Sequence, residues 1–395
     1  MMQGVLSGMR VLDFGRFIAA PCCAALLGDL GAEVIRVEKR EGGEDRWIGP
    51  IASGGEGAMF MQNNRGKLSL TLDMSSAKGR QVAARLIGTA DVVVANFPEK
   101  TLGELGLDYP SLRAIKSDII LTSISAFGSS GPYRDRLGFD AVGQLMSGAA
   151  SRTGSPDQPV RTPVQYVDVA SALAATVGTL AAIMHRRMTG EGQRVEASLL
   201  STALTMTSVM MIEQAVIRPN RPASLNRGQQ SAPNDIFSVK DGWILVQGVG
   251  QPIFRRWAKL MGVEEWTNDP RFSDDAERGK NWQPINERMQ AWCKQKSKAE
   301  ALEQLERARI PAYPVNTLQD ALEDPQVRSM GYLHYTDYPG LPAPAPIVEA
   351  PFRLSAIPPA PPSRPPLLGE HTQHILAELS YSESEIAALA QEQII

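Results

Sequence analysis

Alternation of short apolar strands with helices constrains the fold of this chain more than any other sequence feature. A helix is predicted from Pro21, which suits a first helical turn, to Leu30, and a second at 77–87, where Ser76 can provide the cap. Short apolar runs typical of buried strands occur at 10–14, 34–38, 69–72, 91–95 and 119–123. Strand, helix and strand in so few residues require parallel strands and a right-handed crossover. We therefore expect an α/β domain with a doubly wound, mostly parallel, Rossmann-like sheet.

A longer helix is predicted to begin at Asp168 and to end before Gly190. Small residues fill much of it, so the helix is expected to be buried against other elements. An apolar stripe follows the helical period at Val169, Leu173, Val177, Leu180 and Met184. Asp168 then occupies the N-cap, where aspartate is among the preferred residues. On this pattern alone Asp168 is only a helix cap.

The composition changes along the chain and predicts two domains. Residues 1–217 are expected to form the large α/β domain, and 218–234, rich in Pro, Asn, Arg and Gln, a linker. A hairpin followed by charged helices with four of the six tryptophans predicts a smaller α+β domain at 235–330. Residues 331–395 are expected to form a proline-rich crossing and a C-terminal part that returns to the large domain.

Bulk composition excludes several classes of protein. The 395 residues carry a formal net charge of −3, which leaves no electrostatic footprint for nucleic acid. Three cysteines and four histidines do not form metal-binding motifs, and the dinucleotide fingerprint and P-loop are absent. No signal-peptide pattern or apolar run of spanning length is apparent. We expect a cytoplasmic protein with no metal, no nucleic-acid partner and no membrane partner.

Several separate blocks of sequence are similar to the family III CoA-transferases, the group that includes formyl-CoA:oxalate and carnitine CoA-transferases. The blocks lie in the family's order, cover residues 9–200 well and match the remainder loosely: RVLDF…AAP at 10–21, LGAEVIRVE at 30–38, NRGKLSLTLD at 64–73, ADVVVANF at 90–97, TGSPD at 153–157 and TGEGQRVEASL at 189–199. The resemblance implies an interlocked homodimer with no permanently bound cofactor. Its small-molecule substrates would be coenzyme A esters (acyl-CoA) and carboxylic acids.

The resemblance also implies roles for individual residues. Asp168 would attack the acyl-CoA thioester, and the helix N-terminus would keep its carboxylate ionised. Gly248 and Gly250 would belong to a glycine loop that supplies backbone donors to the oxyanion. Residues expected to contact CoA are Ile18, Ala19, Lys39, Leu72, Asp73, Met74, Ser75, Asn96, Phe97, Pro98, Leu137, Gly138 and Phe139. Glu104 replaces a basic residue of the family, which predicts a weaker phosphate contact at that edge, with Lys100 as a substitute.

Three alternatives to CoA transfer remain open on the same scaffold. An α-methylacyl-CoA racemase needs two acid/base groups, and the related racemases place a histidine before an aspartate where this chain has Phe139 and Asp140. Phenylalanine cannot move a proton, which disfavours that activity. A CoA lyase or hydrolase, or a non-catalytic CoA-binding protein, is also compatible with the pattern.

Arg16 or Arg152 could hold the second carboxylate of a dicarboxylic acid.

Overall fold

The computed structural model describes residues 4–357 and 363–395. It divides into two compact units. Unit 1 comprises Met1–Ser147, Thr162–Ile217 and Met330–Ile395. Unit 2 comprises Gly148–Arg161 and Arg218–Ser329, so the segment 218–234 clusters with the smaller unit.

Strands and helices are numbered in chain order. The strands are β1 Arg10–Asp13, β2 Glu33–Glu38, β3 Leu68–Thr71, β4 Val92–Ala95, β5 Ile120–Ser125, β6 Gly154–Ser155, β7 Gln158–Pro159, β8 Arg194–Ser198, β9 Asn234–Val239, β10 Gly242–Gln247, β11 Ala312–Pro314, β12 Leu333–Thr336 and β13 Ala345–Val348. The helices are α1 Ala19–Asp29, α2 Ala58–Asn63, α3 Ala77–Gly88, α4 Glu99–Leu105, α5 Tyr109–Ile115, α6 Asp140–Met146, α7 Tyr166–Thr189, α8 Leu199–Ile217, α9 Gln251–Met261, α10 Asp275–Lys280, α11 Trp282–Cys293, α12 Lys298–Arg307, α13 Leu318–Glu323, α14 Pro325–Met330, α15 Thr372–Glu378 and α16 Glu383–Gln391.

The main sheet of unit 1 has six parallel strands in the order β3-β2-β1-β4-β5-β8, which confirms the predicted parallel sheet. Successive strand residues point to opposite faces. Val11 therefore enters the core formed with α1, α7 and α8, whereas Leu12 enters the core formed with α3 and the C-terminal helices. The strand order reverses between β1 and β4, and such a switch point opens a crevice at the carboxyl ends of the strands.

Helix α7 packs on the sheet by its small residues rather than by its large ones. Ala172, Ala175 and Ala182 are buried against the core that includes α1. Within the predicted apolar stripe, Val177 is 67% exposed and Met184 is 64% exposed. Small side chains let two helices approach closely, so the larger apolar residues of α7 are left on the outer face.

By length and composition, α7 and α8 both reach what a membrane crossing requires, contrary to the prediction that the chain has no such segment. Their best 18-residue windows have hydropathies of 1.7 and 1.3. The window of α7 is 44% buried, whereas that of α8 is 11% buried. Helix α8 thus presents an apolar surface in unit 1.

Unit 2 is an α+β assembly around its own core. Strands β9 and β10 form the predicted hairpin, and β11 adds a third antiparallel strand. Trp257, Phe254 and Phe272 are fully buried at the centre of this unit.

Candidate active site

The turn between β1 and α1 is fixed by side chains from both strands that flank the switch point. Asp13 Oδ1 accepts the Gly15 N–H at 2.8 Å. Asn96, just beyond β4, accepts the Arg16 N–H and donates to the Arg16 carbonyl, both at 2.8 Å. Phe17 follows with φ +63°, a conformation that costs energy in an aromatic residue and is kept only where neighbours impose it.

A network of buried charged side chains binds Asp13 and so supports this turn. Lys67 Nζ lies 2.7 Å from Asp13 Oδ2 and also donates to the Pro21 carbonyl. Arg36 pairs with Asp45 at 2.9 Å, and all four charged side chains are buried. Removing one partner of such a buried pair leaves an uncompensated charge, which is strongly destabilising. The network therefore holds Asp13 where it binds the turn.

Two neighbouring cavities open at this edge of the sheet. The Asp168 cavity has a volume of about 300 Å³, and the Lys39 cavity has a volume of about 240 Å³. Arg16 and Phe97 line both, so the two cavities adjoin.

The residues predicted to contact CoA are distributed between these cavities. The Lys39 cavity is lined by Lys39, Leu72, Asp73, Met74, Ser75 and Phe97, and the Asp168 cavity by Ile18, Ala19, Asn96, Phe97, Pro98, Leu137, Gly138, Phe139 and Asp168. The structure thus brings the predicted residues of unit 1 to one edge of the sheet. Their role in binding CoA stays a prediction.

Asp168 lies in the first turn of α7, two residues after its start, so the predicted N-cap position is wrong. Only 8% of Asp168 is exposed, and no described residue donates a hydrogen bond to its carboxylate. Burial, followed by the nearby Asp140 carboxylate, raises the pKa of Asp168 to about 7. Desolvation by burial therefore opposes the expected effect of the helix N-terminus, which was predicted to keep this carboxylate ionised.

Asp140, at the start of α6, supplies the cap that was assigned to Asp168. Its Oδ2 accepts the N–H of Val167 at 2.8 Å and that of Asp168 at 3.1 Å. Sequence reasoning used this residue only to locate the position that a racemase fills with histidine. A buried aspartate that caps a distant helix leaves no local sequence signature.

Lys39 and Arg16, which both line the Lys39 cavity, share one carboxylate. Glu44 accepts a hydrogen bond from Lys39 at 2.8 Å and lies 3.3 Å from Arg16, whose guanidinium also covers the Phe97 ring at 5.1 Å. The hydrogen bond from Lys39 is the main reason that the pKa of Glu44 lies below its usual value. Glu38 and Asp73 also line this cavity, so a phosphate-bearing ligand would be met by Lys39 and Arg16 individually rather than by a uniformly positive surface.

Lys100 was predicted to take over the phosphate contact of the basic residue that Glu104 replaces. Lys100 lies 3.9 Å from Glu104, and both side chains are largely exposed. The carboxylate therefore offsets the charge of the lysine that was predicted to take over the phosphate contact.

Phe139 lines the Asp168 cavity and meets Phe17 edge to face, with ring centroids 5.2 Å apart. The described residues that line this cavity include no histidine, so an imidazole from among them cannot be the second acid/base group of a racemase.

In this structure the backbone N–H groups of Gly248 and Gly250, the predicted oxyanion donors, bind other residues of unit 2, and their oxyanion role stays a prediction. Gly248 donates its N–H to the Pro233 carbonyl at 2.5 Å, and Gly250 donates to the Asp275 carboxylate at 3.0 Å. Both donors are already used within unit 2. Arg152, a candidate for holding a second carboxylate, instead binds the Pro222 carbonyl and the Gln229 side chain. Residues 4–357 and 363–395 contain no cluster of three or more potential metal ligands.

Comparison with known proteins decides the family. The model of CoA-transferase family III matches residues 6–372. The chain belongs to CoA-transferase family III. The enzyme is 32% identical to a succinate–glutarate CoA-transferase of Agrobacterium fabrum over 96% of each chain. It is also 32% identical to a formyl-CoA:oxalate CoA-transferase of Bradyrhizobium sp. (strain ORS 278), over 98% of this chain and 96% of that protein.

The fold agrees with this assignment. A crystal structure of a CAIB/BAIF family protein from Brucella suis matches the enzyme with a TM-score of 0.85 and 32% identity, over 95% of this chain and 100% of that one. The protein is thus a CoA-transferase, and acyl-CoA is its substrate.

Proposed function

We propose that the enzyme transfers CoA from an acyl-CoA to a free carboxylic acid through covalent intermediates on Asp168. The observation that carries this proposal is the Asp168 carboxylate itself. It is buried, accepts no hydrogen bond from the described residues, and lines a cavity that adjoins the Lys39 cavity. A carboxylate that no protein donor engages can act as the nucleophile towards a thioester bound in that cavity.

The chemistry needs four displacement steps at acyl carbons. The Asp168 carboxylate attacks the thioester carbonyl, giving an aspartyl–acyl anhydride and expelling CoA thiolate. The thiolate then attacks the aspartyl carbonyl, releasing the first carboxylic acid as its carboxylate and leaving an aspartyl-CoA thioester. The acceptor carboxylate displaces the thiolate to form a second anhydride, and the thiolate attacks the acceptor carbonyl, which regenerates Asp168.

The substrate class that we propose is a dicarboxylic acid and its CoA ester. Relatives of the enzyme are named for succinate, glutarate, D-citramalate and oxalate. Arg16 lines the Asp168 cavity and presents a partly exposed guanidinium, which can hold a second carboxylate. Arg152 is fixed in unit 2 by its own hydrogen bonds, so Arg16 is the better candidate.

Transfer is tested with a panel of acyl-CoA donors and carboxylate acceptors, with mass detection of the exchanged CoA ester. We expect dicarboxylates to exceed monocarboxylates of equal length in kcat/KM. Asp168→Asn should abolish transfer for every pair, whereas Asp108→Asn, at the cap of α5, should leave it unchanged. Transfer by Asp168→Asn at the wild-type rate would refute the nucleophile.

We also propose that the enzyme is a homodimer in which a second copy covers the outer faces of α7 and α8. Val209 and Val216 on α8 are 72% and 75% exposed, and Val177 on α7 is 67% exposed. A contiguous apolar face of this kind on a soluble protein typically marks a protein interface.

The oligomeric state is tested by light scattering. The wild type should elute as a dimer, and Val209→Glu/Val216→Glu should shift it towards monomer, whereas Ile115→Glu, at an exposed apolar position on α5, should not. A monomeric wild type, or one that floats with lipid vesicles, would contradict the proposal.

A further inference from the structure

Asp140 connects two helices at the nucleophile. It is buried at the first residue of α6, and its Oδ2 accepts the backbone N–H groups of Val167 and Asp168 at 2.8 and 3.1 Å. The residue that precedes α7, Gln165, forms no side-chain cap. The first N–H groups of a helix have no partner inside the helix, so Asp140 satisfies two of them from outside α7.

Gln144, one turn later on α6, holds Asp140 and the approach to α7 together. Its Nε2 donates to Asp140 Oδ1 and to the carbonyls of Thr162 and Val164, the latter two at 3.2 and 3.3 Å. Its Oε1 accepts the Thr162 N–H at 3.0 Å. The segment that leads into the nucleophile is thus tied to α6 at several points.

Resting on the proposed function, we infer that Asp140 is a positioning residue for Asp168, which it holds by the backbone while placing a second negative charge beside its carboxylate. The hydrogen bonds fix the Cα of the nucleophile relative to the cavity. The charge makes the Asp168 carboxylate more basic, and a more basic carboxylate is a better nucleophile once it is ionised.

The other groups that face Asp168 do not replace this charge. Cys22 approaches from α1, and burial raises the pKa of its thiol, so it adds no negative charge near pH 7. Tyr166 lies near Asp140 in the first turn of α7, and burial likewise raises the pKa of its hydroxyl. Arg16, in the same cavity, is engaged with Glu44. Asp140 is therefore the neighbouring anion that, together with burial, raises the pKa of Asp168.

The inference is tested with Asp140→Asn, which retains an oxygen acceptor at the same distance from Cβ and removes the charge. A carboxylate relieved of a neighbouring anion ionises at lower pH. We expect the acid limb of the kcat/KM profile to move to lower pH in this variant. Asp108→Asn, the same change at the cap of α5, should keep the wild-type limb. An unshifted limb in the folded Asp140→Asn variant would overturn the electrostatic role.

Asp140→Ala tests the hydrogen bonds, because it removes charge and acceptor together. We expect kcat to fall roughly ten- to a hundredfold with an unchanged KM for acyl-CoA, since a displaced nucleophile loses reaction geometry rather than binding. An equal loss of kcat in Asp140→Asn and Asp140→Ala, with a matching fall in melting temperature, would indicate a merely structural role and overturn the inference. If the wild type itself carries no covalent adduct on Asp168, the proposed function fails instead.

Discussion

The perturbed carboxylate of Asp168 predicts an unusual dependence of activity on pH. Attack on the thioester requires the ionised form, and burial together with Asp140 raises the pKa of Asp168 to about 7. With that pKa the group is about nine-tenths ionised at pH 8 and about one-tenth ionised at pH 6. We therefore expect kcat/KM to fall about tenfold between these values, whereas an aspartate of ordinary pKa near 4 would give no change.

The assay is the initial rate of CoA exchange at subsaturating acyl-CoA, from pH 5 to 9 at constant ionic strength. Because kcat/KM reports the free enzyme, its acid limb belongs to Asp168 before the substrate binds. Enzyme held at each pH and returned to pH 8 must recover full activity, which separates titration from unfolding. A flat profile between pH 8 and pH 5.5 would refute the reasoning.

Three further changes test the supporting structure. Lys67→Met should lower the free energy of unfolding by about 3–5 kcal/mol in urea titrations, because Asp13 is left buried without its partner; a loss below about 1 kcal/mol would contradict the network. Asp168→Asn should raise the free energy of unfolding at pH 8 by roughly 2–4 kcal/mol. The reason is that a carboxyl whose pKa is higher in the folded than in the unfolded protein destabilises the fold progressively as pH rises from about 4 to about 7. A variant that equals the wild type in stability at pH 8 but exceeds it at pH 4 would contradict this reasoning. Glu44→Gln should lower the KM for acyl-CoA and steepen its salt dependence, because Lys39 is released for a phosphate; an increased KM would show that Glu44 assists binding.

The sheet was predictable because its strands carry unmistakable patterns. The β4 residues Val92, Val93 and Val94 are fully buried, and alternate side chains enter the cores on opposite faces of the sheet. The Ser76 cap of α3 was equally predictable, since its side chain accepts the Gly79 N–H three residues later. Buried strands and local helix caps, which depend on residues close in sequence, could therefore be predicted.

The orientation of α7 was not predictable from its period. The helical period identifies a stripe containing Val177 and Met184, but it does not say what covers that stripe. In unit 1 the small face, with Ala172 and Ala175, packs instead. The helix was expected to be buried against other elements; in unit 1 its small face is buried, whereas Val177 and Met184 are exposed.

At the site, the residues placed by family resemblance gather at one edge of the sheet because the strands that precede them are parallel. The side chains that hold the start of α7 and the turn after β1 were missed. Asp140 reaches Asp168 across 28 residues, and Lys67 reaches Asp13 across 54. Contacts at such separations follow from the fold and have no local pattern. For the same reason the sequence did not indicate that the N–H groups of Gly248 and Gly250 bind the Pro233 carbonyl and the Asp275 carboxylate.

The most direct test of the central claim is the mass of the enzyme after incubation with acyl-CoA and no acceptor. We predict an aspartyl-CoA thioester on the peptide that contains Asp168, converted by hydroxylamine to a hydroxamate at that residue and absent from Asp168→Asn. Wild-type enzyme that turns over the donor while the Asp168 peptide stays unmodified, or a hydroxamate on another carboxyl, would contradict the account.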